Sequence, residues 1–167
     1  MRKKFDELSQ NSRIWIYQSD RAICEEEATR MIQDTDEFLH QWAAHGSDLL
    51  ASATILYDHF LVLAVDEGFN MTSGCSIDSQ VRFIQEIAKK YKIDLFNRTN
   101  LAFWKSNQVE LIPMSDMKSQ VEKDYFAEEV KFFDNNINKK EELENKWLVD
   151  PKESWLKRYF QTAKSVL

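Results

Sequence analysis

The sequence predicts an α+β protein with a ferredoxin-like β-α-β-β-α-β core, an extra strand and a helical C-terminal extension. Three observations carry that prediction. Apolar residues recur at three- and four-residue steps over 25–45 and again over 76–91, the period of an amphipathic helix. Short runs rich in β-branched and aromatic residues lie around and between them. Their order is strand, helix, strand, strand, helix, strand, the order of a split β-α-β unit.

The first strand is Ile14-Trp15-Ile16-Tyr17, apolar on both faces and so suited to a central place in a sheet. The helix over Glu25–His45 carries Ala28, Met31, Ile32, Thr35, Leu39, Trp42 and Ala43 on one stripe. Glu25, Glu26 and Glu27 sit in its first turn, where the helix dipole favours negative charge. Cys24 stands at the N-cap position and Gly46 at the C′ position. Strands over 53–57 and 60–65 follow, joined by Asp58-His59 as a tight hairpin. The run Phe60 to Val65 has no polar face, which predicts a strand covered on both sides.

The second helix, Ser76 to Tyr91, presents Ile77, Val81, Ile84, Ile87, Ala88 and Tyr91. Leu101–Trp104 and Val109–Ile112 read as a second hairpin. A short helix is expected near 115–123 and a strand near 129–133. Asn138-x-x-Glu141 and Asp150-Pro151-x-Glu153 both carry the signature of a helix start, the second with proline at the first helical position. The last helix would hold Trp155, Leu156, Tyr159 and Phe160. The expectation is one domain over 1–167, with a core over 12–112 and an extension over 113–167 packed on it.

Composition excludes some functions. Lys and Arg number 22 against 28 Asp and Glu, a net charge of −6, so the basic stripe that displaces counterions from nucleic acid is missing. No apolar stretch approaches the length of a membrane span. Two cysteines, Cys24 and Cys75, make no disulfide framework. The reading is a cytoplasmic protein.

Candidate chemistry gathers at 64–78, which holds Gly68, Gly74, Cys75, Asp66, Glu67 and Asp78. A nucleophilic Cys75 at a helix start would need a histidine base and an orienting carboxylate, roles open to His45 and Asp66 or Glu67. The plainer expectation is that Cys75 packs inward as a small apolar residue, against Val65 or Ile77. The turn Ser73-Gly74-Cys75-Ser76, with Glu67, Asp78 and Arg82, could instead bind a small anion or polar ligand through exposed amides. No pair has a recognised metal-ligand spacing, and no cofactor is expected.

Several segments together carry a resemblance: Asn11 to Gln18, Trp42 to Leu49, Ala64 to Glu67, Ser73 to Asp78, and Glu153-Ser154-Trp155. The chain resembles a small family of uncharacterised Bacteroidetes proteins often labelled "ABC transporter ATPase". The label conflicts with the residues. A phosphate-cradling Gly-x-x-x-x-Gly-Lys-Ser/Thr loop cannot be built from Gly46, Gly68 and Gly74, none of which precedes lysine. The function expected is a non-catalytic module that binds a protein partner or small ligand without hydrolysing nucleotide. The alternative is a cysteine-dependent hydrolase using Cys75, His45 and Asp66.

Overall fold

The computed structural model describes residues 4–42, 50–67 and 74–164. The chain forms two compact units. One comprises Met1–Asn97 with Asn138–Glu141, the other Arg98–Ile137 with Glu142–Leu167. Helix and antiparallel sheet are mixed in both, so the fold class is α+β.

The first unit contains β1 (Arg13–Gln18), α1 (Glu25–Trp42), β2 (Leu50–Leu56), β3 (Phe60–Asp66) and α2 (Gly74–Tyr91). Its sheet has the order β1-β3-β2, with β3 antiparallel to both neighbours. Every residue from Phe60 to Val65 is fully buried, as an unbroken apolar run on a central strand requires. Period-two alternation sends Leu61, Leu63 and Val65 towards the two helices, beside Tyr17 and Ala53. The helices meet them with Met31, Leu39 and Trp42 from α1 and Ile84, Ile87 and Tyr91 from α2. Burying an apolar side chain of this size contributes about 1.5–3 kcal/mol, so this cluster accounts for much of what holds the unit.

The helices run antiparallel. Asp34 accepts hydrogen bonds from Lys90 Nζ and Tyr91 Oη, each at 2.7 Å. Phe38 stacks on Phe83 with centroids 4.3 Å apart. At the far end the Trp42 indole N–H donates to the Ser76 carbonyl at 2.8 Å.

Three expectations about this unit need correction. The strand after α2 does not complete its sheet. The outer edge of β1 instead takes an antiparallel bridge between Arg13 and Lys139. Ile14 N–H donates to Asn138, Lys140 N–H to Ser12 and Glu141 N–H to Gln10. The Asn138 helix start is therefore absent: its backbone is spent on β1, and α4 (Glu142–Asn145) begins only after it. Lys140 is buried, and its ammonium donates to the carbonyls of Leu8 at 2.8 Å and Asp6 at 3.1 Å. The first hairpin also differs. It turns at Tyr57-Asp58, both left-handed with φ of 53° and 58°, with the His59 N–H donating to the Leu56 carbonyl. The expected C′ glycine, Gly46, lies outside the described residues.

The second unit has β4 (Asn100–Lys105), β5 (Gln108–Pro113), α3 (Met117–Glu122), β6 (Lys131–Phe133), α4, β7 (Leu148–Val149) and α5 (Lys157–Lys164). The sheet order is β5-β4-β6-β7, all antiparallel. The expected hairpin forms, turning at Ser106-Asn107, again both left-handed. β4 belongs here because hydrogen-bonding partners fill both its edges, and Leu101, Ala102 and Phe103 are buried. Phe103, Phe126, Phe132 and Leu156 form the core, with edge-to-face contacts of Phe126 to Phe103 at 5.2 Å and to Phe160 at 5.1 Å. The last helix is in two pieces. Asp150 caps a short turn at Pro151–Glu153 by accepting from the Lys152 N–H, and α5 starts only at Lys157, so Trp155 and Leu156 precede it.

Candidate functional site

The topology of the first unit brings the sequence-predicted candidates to one end. α1 runs parallel to β3, so Trp42, Asp66 and the start of α2 lie at the same end of the sheet. Asp66 closes β3 opposite Leu50 and is half-buried. Glu67 follows, 3.6 Å from Arg13, whose guanidinium also lies over the Trp15 ring at 4.6 Å. His45 and Ser73 fall outside the described residues.

Cys75 is the second residue of α2 and is exposed, contrary to the inward packing the sequence favoured. The reason is angular. The buried residues of α2 are Gln80, Ile84, Ile87 and Tyr91. At about 100° per residue, position 75 falls on the opposite side of the helix from that stripe. Gly74 is no tight cradle either: a Cβ placed there would meet nothing within 4 Å. Ser76 is half-buried with its carbonyl held by Trp42, while Asp78 and Arg82 are exposed. Among the described residues, no group of three or more His, Cys, Asp or Glu side chains could hold a metal ion. No described helix is long and apolar enough to cross a membrane.

The opposite end of the unit is more tightly built, and sequence reasoning passed over it. Three loops interlock there. Ser19 N–H donates to the His59 carbonyl and Ile23 N–H to that of Asp58, both at 2.7 Å. Asp20 N–H donates to the Asp94 carbonyl, and the Asp94 N–H returns a bond to Asp20 Oδ1 at 2.9 Å. Arg21 fixes the floor: its guanidinium donates to both Glu27 oxygens at 2.9 and 2.8 Å and to the Tyr91 carbonyl at 2.8 Å. These bonds outweigh burial and pull the Glu27 carboxyl down from 4.5 to about 2.

On this frame stand two aromatic rings, Tyr57 and Phe96, each 40% exposed, with Asp20, Asp58 and Asp94 exposed around them. Phe96 sits edge-on to Tyr17 at 5.7 Å. Tyr57 is unusual twice over. A bulky side chain in the left-handed region is a true outlier, and the turn formed here ordinarily takes Asn or Gly. The second hairpin meets the same geometry with Ser106 and Asn107. The signal in the sequence was the dipeptide Tyr57-Asp58 itself, which looked like a strand end because tyrosine favours strands.

Gln80 was also missed. It is fully buried on the α2 stripe, and its Oε1 accepts from the Tyr17 hydroxyl at 2.7 Å. In the second unit a cleft of about 220 Å³ lies between Phe126–Lys131 and Asp150–Lys152. No protein-family model, curated protein or solved structure matches the chain.

Proposed function

We propose that the chain is a non-catalytic cytoplasmic module that binds a protein partner through the hairpin end of its first unit and hydrolyses no nucleotide. The observation that carries this reading is Tyr57, an exposed aromatic held in left-handed backbone on a frame of hydrogen bonds. Strain of that kind gathers at binding and switch sites, and exposed rigid aromatics are common anchors of protein interfaces. The test is a photo-crosslinking phenylalanine analogue in place of Tyr57, expressed in the native host. The expected result is one discrete protein adduct, absent when the analogue replaces exposed Lys89 on α2 and lost on Phe96→Ser. Adducts that form equally at both positions would refute the reading.

The exposure of Cys75 in the first turn of α2 favours a second reading, the cysteine-dependent hydrolase. It requires native Cys75 to alkylate rapidly in a Cys24→Ser background, and His45→Ala to slow that labelling. Equal rates with and without His45 would remove it. We also read the first unit as a ferredoxin-like variant in which Asn138–Glu141 stands in the place of the fourth strand, supported by the β1-β3-β2 order and the bridge to β1. Kinship with the Bacteroidetes family belongs to the same reading and rests on the Ser73 to Asp78 segment.

A further inference from the structure

The β6–β7 ladder of the second unit stops at a proline. Phe132 faces Val149 and Phe133 faces Leu148. Beyond them the Asp134 N–H donates to the Trp147 carbonyl at 2.7 Å. Hydrogen-bonded pairs alternate along an antiparallel ladder, so 132 and 149 form the next such pair, and 130 and 151 the one after. Pro151 has no N–H to give. Its carbonyl already accepts from the Ser154 N–H at 3.3 Å and the Ser154 hydroxyl at 2.7 Å. The two segments part here, and the cleft of about 220 Å³ fills the gap between 126–131 and 150–152.

The backbone of Val130 faces that cleft. Successive residues of a strand bond towards opposite edges. Phe132 bonds towards β7, so Lys131 bonds towards β4 and Val130 towards the gap. Val130 is 6% exposed, and a buried peptide group needs a partner. Glu128, two residues earlier, is extended as well, with φ −87° and ψ 171°. One wall of the cleft is therefore a strand edge, and a donor beside an acceptor at peptide spacing is the pattern another extended chain matches. The volume is below the roughly 300–1,000 Å³ of pockets for drug-sized ligands, so it admits a short piece of chain.

One end of the cleft is shut, because the same register sets Lys131 opposite Asp150. A chain cannot run through, and only a chain end fits. Charge selects which end. Glu128, Glu129 and Asp150 outnumber Lys131 and Lys152, and the Lys152 ammonium lies over the Phe160 ring at 5.8 Å. Asp150 stands at the shut end, one oxygen accepting from the Lys152 N–H at 2.9 Å. Phe126, Val130 and Pro151, all buried, give the first side chain an apolar wall.

We propose that this cleft binds the N-terminal end of an extended peptide, running antiparallel to 128–130. The peptide ammonium donates to the Val130 carbonyl and to Asp150, and the first peptide carbonyl accepts from the Val130 N–H. A small apolar first residue sits beside Phe126.

The test titrates the full, isotope-labelled chain with Val-Ala-Ala amide and follows the Val130 amide resonance. A saturable shift is expected by millimolar peptide. Acetylating the peptide amine should weaken binding about tenfold, the effect of one charge-assisted hydrogen bond. Asp150→Asn should weaken the free-amine peptide to the same degree and leave the acetylated one unchanged. Asparagine caps a turn as well as aspartate does, so this variant keeps the Pro151 turn. No saturable shift at Val130 overturns the proposal. So does equal affinity for the acetylated peptide, or a folded Asp150→Asn protein that binds as before. If Asp150→Asn fails to fold, the acetylated peptide decides.

Discussion

At the scale of single residues, the firmest electrostatic feature is Arg21 with Glu27. The guanidinium reaches both carboxylate oxygens and the carbonyl of Tyr91, the last residue of α2, so one side chain ties the start of α1 to the end of α2. Glu27 titrates at about 2 in the folded state against an ordinary value of 4.5. The folded protein therefore binds fewer protons than the unfolded chain between those values. This contribution to stability is fully present above about pH 4.5 and is lost as pH falls towards about 2. Glu27→Gln should flatten the acid limb of a stability–pH curve, read by urea denaturation at a series of pH values. An unchanged limb would show that the pair is too solvated to matter. Lys140 makes a second residue-scale case. Removing its ammonium leaves two carbonyls, of Leu8 and Asp6, without their donor. Lys140→Met should cost about 1–3 kcal/mol, the penalty of unsatisfied buried polar groups. No loss of urea midpoint would mean that water replaces the ammonium freely.

At the scale of elements, α1, α2 and the strands of the two hairpins are legible in the sequence because each reports itself locally. α1 and α2 have a period of 3.6, β3 is an unbroken apolar run, and Asp150-Pro151 caps a turn as its residue types require. What was illegible depended on partners far along the chain. Nothing in Asn138-Lys139-Lys140-Glu141 looks like a strand, and its bridge to β1 is set by backbone groups rather than side chains. β4 shows the same limit: its apolar pattern predicted a strand, but which sheet it joins is a matter of pairing, not of propensity. Cys75 was misplaced for a different reason. Its type suggested burial, and its angular position on α2 overrode that preference. The C-terminal segment offers an element-scale prediction. Leu156 is fully buried and Phe160 packs on Phe126. Truncation before Asp150 should lower the melting temperature by several degrees, the shift a loss of about 1–2 kcal/mol gives at this size. An unchanged melting temperature would make the segment a detachable tail.

At the scale of the whole molecule, the chain builds one compact unit, leaves it at Asn97, begins a second, and returns at Asn138–Glu141 before finishing the second. The first unit thus presents two ends with different characters. One holds Asp66, Glu67 and Cys75, the residues whose chemistry drew attention in the sequence. The other holds Tyr57, Phe96 and a frame of backbone bonds, and it carries the functional proposal because one of its two exposed rings sits where the backbone least tolerates one. The two possibilities for that ring differ in sign. If Tyr57 is kept for a partner, replacing it with the residue its turn prefers relieves strain of about 1 kcal/mol. If it is a structural piece, the same change loses packing. The measurement is the melting temperature of Tyr57→Asn beside the unaltered chain. A rise of about 2–4 °C is expected, the scale of 1 kcal/mol for a protein of this length. A fall would show that Tyr57 serves the fold, and would contradict the claim that the hairpin end is a binding surface.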